Sequence, residues 1–300
     1  MEQSGACLPP LSPSKSTQSP TRELVVRLCR RSYNRPLRGI KDIPGTVQRV
    51  FLAEATDGGC AVLKLPPLCT VRLLRHEKDS LAVDANFLRI SSSREGSTIP
   101  KIIANDVTPS TLGSAYTFFD CGRSVPLSSL SNLTTAHIRV VERTLALWLA
   151  SISCLPASSF GFLYAIMRGT KDQTWRLAFA RMVESTLRDG EDMLVSLPYD
   201  RIRMYIQRFG PVLDTITTPG LLFINACDRG NILVDPNTMA VTGLIDYSSA
   251  VWGDPELAAC SATSGTSRLR LDPTALRISR NSSSAHATVQ DEGKVIRHLL

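Results

Sequence analysis

The sequence predicts an α+β fold of two lobes: an antiparallel sheet with a helix, then a mainly helical part. Three observations carry this expectation. Two strand-like runs, roughly Thr46 to Ala55 and Cys60 to Leu65, are joined by TDGG, and Asp-Gly between such runs is a strong hairpin signal. From about Leu127 onward the apolar residues recur mainly at helical spacing. Among those helices lies the segment Phe223 to Pro255, FINACDRGNILVDPNTMAVTGLIDYSSAVWGDP, whose apolar runs flank the turn-rich DPNTMA. That segment reads as a second hairpin.

The elements follow in order. Residues 1–20 are rich in Ser, Pro and Lys and are expected to be disordered. Thr21 to Arg31 reads as a short basic amphipathic helix with Leu24, Val25 and Leu28 on one side. After the first hairpin, Leu73 to Arg89 reads as a helix with Leu74, Leu81, Ala85 and Leu88 apolar. Strands are expected near Lys101 to Ala104 and Ala115 to Asp120. Thr134 or Thr135 can cap a helix whose Ile138, Val141, Leu145, Trp148, Leu149 and Ile152 share one face. Further helices run from Trp175 to about Arg188 and from Asp200 to Phe209. The expected division is a tail at 1–20, a small lobe at 21–122, a helical lobe at 123–262 and a low-complexity, disordered tail at 263–300.

Composition narrows the class. Three hundred residues at 43% hydrophobic can bury a large core, in one domain or two lobes. Eight scattered cysteines without a C-x-x-C pair, and only four histidines, argue against zinc and suit a reducing compartment. The N-terminus has no apolar core of a secretory signal, and LALWLASI is too short to span a membrane. A cytoplasmic protein without a membrane partner is expected. The net charge of +7 is dispersed, with no basic block interleaved with aromatics, so nucleic acid is not the expected partner. The oligomeric state is not legible here.

The second hairpin carries the chemistry. Asn231 heads one apolar run and Asp246 ends the other, so a hairpin brings an amide oxygen and a carboxylate to one end. Hard oxygen donors of this kind suit Mg²⁺, which takes one or two carboxylates together with substrate phosphates. The segment resembles the metal-binding hairpin of the aminoglycoside phosphotransferase and choline kinase-like family, whose members share the two-lobed protein-kinase-like fold. The resemblance rests on GNILVD at Gly230 to Asp235, GLID at Gly243 to Asp246, and GDP at Gly253 to Pro255. It extends over about residues 40–260.

The resemblance implies ATP and Mg²⁺ as cofactors and transfer of the γ-phosphoryl group to a small-molecule hydroxyl. Asn231 and Asp246 would hold the metal. Lys64, at the end of CAVLKLPP, would meet the α- and β-phosphates, held by an acid on the next helix. Glu77 and Asp84 compete for that role, with Asp84 preferred. Gly45 in DIPGTVQRVFLA would turn a phosphate-covering loop with the N–H groups of Thr46 to Gln48. Backbone groups near Phe118 to Cys121 would bond the adenine edge.

One departure from the family stands out. Members carry H-x-D-x-x-x-x-N, whose Asp takes the proton of the acceptor hydroxyl. Counting back from Asn231 places Ala226 at the Asp position and Ile224 at the His position. One extra loop residue places Asn225 and Phe223 there instead. Neither register supplies a carboxylate. Asp228 is the nearby acid: a displaced base, a metal ligand or, ranked first, a cap on its own loop. The alternative to an active phosphotransferase is therefore a catalytically impaired, pseudokinase-like nucleotide-binding or interaction protein.

Overall fold

The computed structural model describes residues 20–44, 47–92, 99–108, 110–155, 157–260, 269 and 271. The chain begins with α1 (Arg22–Ser32), started by the Thr21 hydroxyl, which accepts the Leu24 N–H. Three antiparallel strands follow: β1 (Leu37–Ile43), β2 (Arg49–Ala55) and β3 (Cys60–Leu65). Helix α2 (Ser80–Ser92) precedes β4 (Lys101–Asp106) and β5 (Tyr116–Asp120). The sheet order is β1-β2-β3-β5-β4, which makes β3 its central strand.

Side chains alternate across a strand, and here the two faces of the sheet meet different partners. Ala61, Leu63 and Leu65 of β3 pack with Val25, Leu28 and Cys29 of α1. Cys60 and Val62 point the other way, into a larger core with Val83, Phe87 and Leu88 of α2. Lys64 shares the face of Val62. The turn between β2 and β3 needs a glycine at Gly58, whose φ is 81°.

The second lobe is helical with two small sheets set into it. Its elements are β6 (Val125–Pro126), α3 (Thr135–Ser153), β7 (Gly161–Phe162), α4 (Leu163–Met167), α5 (Trp175–Asp192) and α6 (Tyr199–Leu213). There follow β8 (Gly220–Phe223), β9 (Ile232–Val234), β10 (Val241–Leu244), β11 (Ala250–Gly253) and α7 (Glu256–Cys260). The small sheets have the orders β10-β9-β6 and β7-β11-β8. Thr134 caps α3: its hydroxyl accepts the His137 N–H while His137 Nδ1 accepts the Thr134 N–H. Val141, Leu145, Trp148, Leu149 and Ile152 of that helix are buried as its periodicity predicts. An aromatic cluster joins the lobes. Tyr247 stacks on Phe87 of α2 at 4.6 Å, and Phe119 and Phe223 meet its edge.

Several elements differ from expectation. Strand β1 was not foreseen, because LRGIKDI has no sustained apolar run. Helix α2 begins at Ser80 rather than Leu73. The Arg75 N–H donates to Asp189 of α5, and the Arg75 guanidinium pairs with Asp189 and Asp192, while Glu77 closes a turn on Leu74 before α2 begins. Of the tail 263–300, Leu269 and Leu271 are described; both are buried, and Leu269 N donates to Cys227 O. These two residues join the large core instead of being disordered. The expectations for 1–19 and for the rest of 263–300 lie outside the described residues. Among the described residues no helix is long and apolar enough to cross a membrane.

The glycine of the GDP segment has a packing reason. A Cβ at Gly253 would fall on the six-membered ring of Trp175, whereas one at Gly39 in β1 would meet nothing within 4 Å. Overpacking of this kind costs about 1–3 kcal/mol. Gly253→Ala is expected to lower the urea midpoint accordingly, and Gly39→Ala to change stability by no more than about 0.5 kcal/mol. Equal effects of the two substitutions would overturn this account.

Candidate active site

Lys64 is 0% exposed, and a lysine without water needs counter-charge. Two carboxylates supply it: Lys64 Nζ lies 2.6 Å from Asp84 Oδ2 and 2.6 Å from Asp246 Oδ1. Asp84 stands on α2, one helical turn into the core, and is 0% exposed. Its Oδ1 accepts the Tyr247 N–H at 2.8 Å, and its Oδ2 also accepts Gln48 Nε2 at 3.3 Å. Asp246 follows β10 and is the open member of the triad, with its side chain 23% exposed.

The electrostatics follow from sharing one ammonium between two carboxylates. Burial pushes the Asp84 carboxyl up to about 6, against the pull of Lys64 and with a further push from Asp246. Burial acts the same way on Asp246, but Lys64 and the Ser248 donors outweigh it and hold that carboxyl below its ordinary value. Burial favours a neutral Lys64, yet Asp246 and Asp84 together keep the ammonium above its usual pKa. The ammonium is thus held charged by the two acids that share it.

Glu77 is not part of this cluster. Its carboxylate accepts the Leu74 N–H at 2.8 Å and so closes the turn before α2. The helix that would have carried it toward Lys64 starts three residues later, at Ser80. Gly45 and Thr46 lie outside the described residues; from their loop, Gln48 reaches Asp84. The expected adenine-binding backbone is otherwise engaged. Phe118 and Phe119 lie inside the ladder between β3 and β4, and the Cys121 N–H donates to Cys60 O. A central strand has no free edge to offer.

The second hairpin pairs Ile232 with Leu244 and Val234 with Val241. Asp235 shapes its turn, accepting the N–H groups of Asn237 and Thr238 at 2.8 and 2.9 Å. This register brings Asn231 against Asp246. Asn231 Oδ1 accepts the backbone N–H groups of Asp246 at 2.7 Å and Ile245 at 3.1 Å. Its Nδ2 donates to the carbonyls of Asn225 and Asp246, both at 3.2 Å.

Of the two registers for the missing base, Asn225 is the residue beside Asp246. Asn225 Nδ2 donates to Asp246 Oδ2 at 2.8 Å, while Ala226 and Phe223 are buried in the core. Asp228 turns its Oδ1 onto the Gly230 N–H at 2.9 Å, two residues ahead in the same loop. Sequence reasoning missed Ser248 and Ser249, and it gave Gln48 only a backbone role where its side chain reaches Asp84. Ser248 donates both its N–H and its hydroxyl to Asp246. The Ser249 hydroxyl donates to Asn225 Oδ1. The two serines that follow Asp246 after Tyr247 were the available signal.

Asn231 and Asp246 have the donor chemistry magnesium requires, hard oxygen. Their arrangement here does not leave room for it. A carboxylate has about four lone-pair sites and an amide oxygen two. Asp246 Oδ1 receives Lys64 and the Ser248 N–H; its Oδ2 receives Asn225 and the Ser248 hydroxyl. Asn231 Oδ1 receives two backbone N–H groups. As arranged, these residues do not fit a divalent cation.

The matching region runs over most of this architecture. Residues 39–257 match the sequence profile of the phosphotransferase enzyme family, APH. The chain belongs to this family. Similar folds among solved structures include macrolide 2'-phosphotransferase type I, at 16% identity, TM-score 0.55, and coverage of 92% of this chain and 87% of that one. The GDP and kanamycin complex of APH(2")-IIia is similar at 14% identity and TM-score 0.55, covering 91% and 86%. A thermostable mutant of the aminoglycoside phosphotransferase APH(4)-Ia, with ADP and hygromycin B, is similar at 17% identity and TM-score 0.51, covering 79% and 75%. At these identities the likeness is one of fold, the two-lobed protein-kinase-like fold. No curated protein sequence matches the chain.

Removing Lys64 leaves two facing carboxylates without their cation. Breaking a buried pair in this way costs about 3–5 kcal/mol. Lys64→Met is expected to lose that much in chemical denaturation, while Glu77→Gln stays within about 0.5 kcal/mol of wild type. A larger loss for Glu77→Gln than for Lys64→Met would assign the buried counter-charge to the wrong acid.

Proposed function

We propose that this family member binds a nucleoside triphosphate, ATP in the first instance, between a small lobe at 21–122 and a helical lobe at 123–262. It passes the γ-phosphoryl group to a hydroxyl of a small molecule. The observation that carries this reading is the charged Lys64 amine held between Asp84 and Asp246. Membership of the phosphotransferase family supports it, as do the similar folds of proteins solved with ADP or GDP.

The chemistry expected of these residues is mostly positional. Lys64 offers a fixed positive charge to phosphate oxygens, and its two partners remove the entropy of a free side chain. Phosphoryl transfer passes through a loose transition state, so alignment and electrostatics dominate. Magnesium, part of the family expectation, would supply charge neutralisation of the phosphates if Asp246 were released from its present partners.

Asn225 favours a second reading, a nucleotide-binding protein with little turnover. An amide can orient a hydroxyl but cannot take its proton. A general base contributes about 10²–10⁴-fold, and transfer slowed by that factor is the expected behaviour. Asp228 is the acid of this loop, but its carboxylate serves the Gly230 N–H.

Thermal unfolding with and without ATP or GTP tests the binding. Nucleotide at about a hundred times its Kd adds about 2.7 kcal/mol to stability, and Lys64→Met is expected to abolish the shift. No shift with either nucleotide would overturn the reading. For turnover, Asp228→Ala is expected to leave any phosphate-release rate within about threefold of wild type, far short of the loss of a general base. Loss of all turnover in that variant would make Asp228 the base.

A further inference from the structure

We propose that Asn225, fixed by Ser249, closes Asp246 to divalent cations, so that a phosphate ester entering the cleft reaches the buried Lys64 by replacing Asp246 on it and not through a metal. The phosphate-ester part rests on the nucleotide reading above; the closure of Asp246 does not.

The amide of Asn225 is oriented by its surroundings. The Asn225 backbone N–H donates to Ser249 Oγ at 3.3 Å. The Ser249 hydroxyl proton is thereby directed to Asn225 Oδ1, with which it bonds. The amide carbonyl faces Ser249, and the NH₂ group must face Asp246 Oδ2, 2.8 Å away. The fold imposes this meeting. Phe223 at the end of β8 pairs with Ala250 at the start of β11, and the Ile224 N–H donates to Ser249 O. Asn225 follows Ile224 directly and so lies beside the Ser249 side chain.

An aspartate at 225 would be a poor neighbour in this geometry. Its second oxygen would stand where Asn225 now donates, facing Asp246 with no proton between them. Two carboxylates at such a distance repel each other, and Lys64, already shared between Asp84 and Asp246, would have a third carboxylate to offset. The amide removes that demand and adds a donor. With Lys64 and Ser248 it fills the lone pairs of Asp246, while Ile245 and Asp246 fill those of Asn231. Asn225 is thus complementary to Ser248, Ser249 and Lys64 as a set. A base position that had only lost its carboxylate would not require a partner at 249.

The prediction is made on the full chain with manganese, whose free form is counted by electron paramagnetic resonance without any nucleotide. Wild type is expected to bind Mn²⁺ weakly and Asn225→Asp at least about tenfold more tightly, as a second carboxylate facing the first creates an oxygen site. Ser249→Ala, which frees the amide to rotate, is expected to bind Mn²⁺ more tightly than wild type. Ser249→Thr retains the hydroxyl and is expected to restore wild-type behaviour. Calorimetry with ATP is expected to give the same Kd, within about threefold, in excess Mg²⁺ and in EDTA.

Equal Mn²⁺ affinity of wild type and Asn225→Asp, each folded by circular dichroism, would overturn the closure. If Asn225→Asp does not fold, Asn225→Ala removes the donor without adding charge, and unchanged Mn²⁺ affinity there overturns it equally. A loss of ATP affinity above about tenfold in EDTA would overturn the role of Lys64 as the cation's replacement. If ATP binds under neither condition while Asn225→Asp gains Mn²⁺, the nucleotide reading fails and the closure stands.

Discussion

The structure is organised around the burial of one positive charge. An ammonium withdrawn from water is tolerated only with close counter-charge, and Lys64 has no exposed surface. Its two carboxylates come from different parts of the chain, Asp84 from α2 and Asp246 from the end of β10. The pairing therefore fixes the helix of the first lobe against the hairpin of the second. Asp84 adds a second tie by accepting the Tyr247 N–H. The residue after Asp246 is thus held by the same acid that holds Lys64.

Apolar packing reinforces that seam. Tyr247 is fully buried among Phe87, Phe119 and Phe223, and Trp148 of α3 stacks on Phe223. The Tyr247 hydroxyl accepts the Leu244 N–H at 3.0 Å, so its polar end is satisfied inside the core. Gly243 leaves room for this: a Cβ there would come within 3.0 Å of the Tyr247 hydroxyl oxygen and 3.1 Å of Pro100 Cδ. The glycine of the GLID segment thus answers to Tyr247, four residues on, and to the distant Pro100, and the glycine of the GDP segment to the distant Trp175.

The same neighbours that build the seam shape the chemistry. Asp246 is both the structural partner of Lys64 and the more open of its two carboxylates. Its hydrogen bonds come from Lys64, Asn225 and Ser248, three segments that converge only in the folded chain. A site whose acid is satisfied internally is stable without a ligand. It admits a ligand only by exchanging one of those bonds for another.

The sequence by itself determined the class, the family resemblance and the key hairpin. Those signals are local: apolar periodicity in α3, the Asp-Gly turn before β3, and the spacing of Asn231 and Asp246 across a short turn. It also singled out Lys64 and both candidate acids, since each stands in a short recognisable run. The tertiary structure decided what no local pattern encodes. Asp84 rather than Glu77 meets Lys64, because Asp84 stands on α2 while the Glu77 carboxylate is spent on the Leu74 N–H in the turn before it. Strand β1 forms from a polar run because β2 offers it an edge. Asn225 rather than Ala226 faces Asp246 because the β8–β11 register sets Asn225 beside Ser249. In each case the outcome rests on pairing between separate segments, which periodicity and spacing within one segment do not encode.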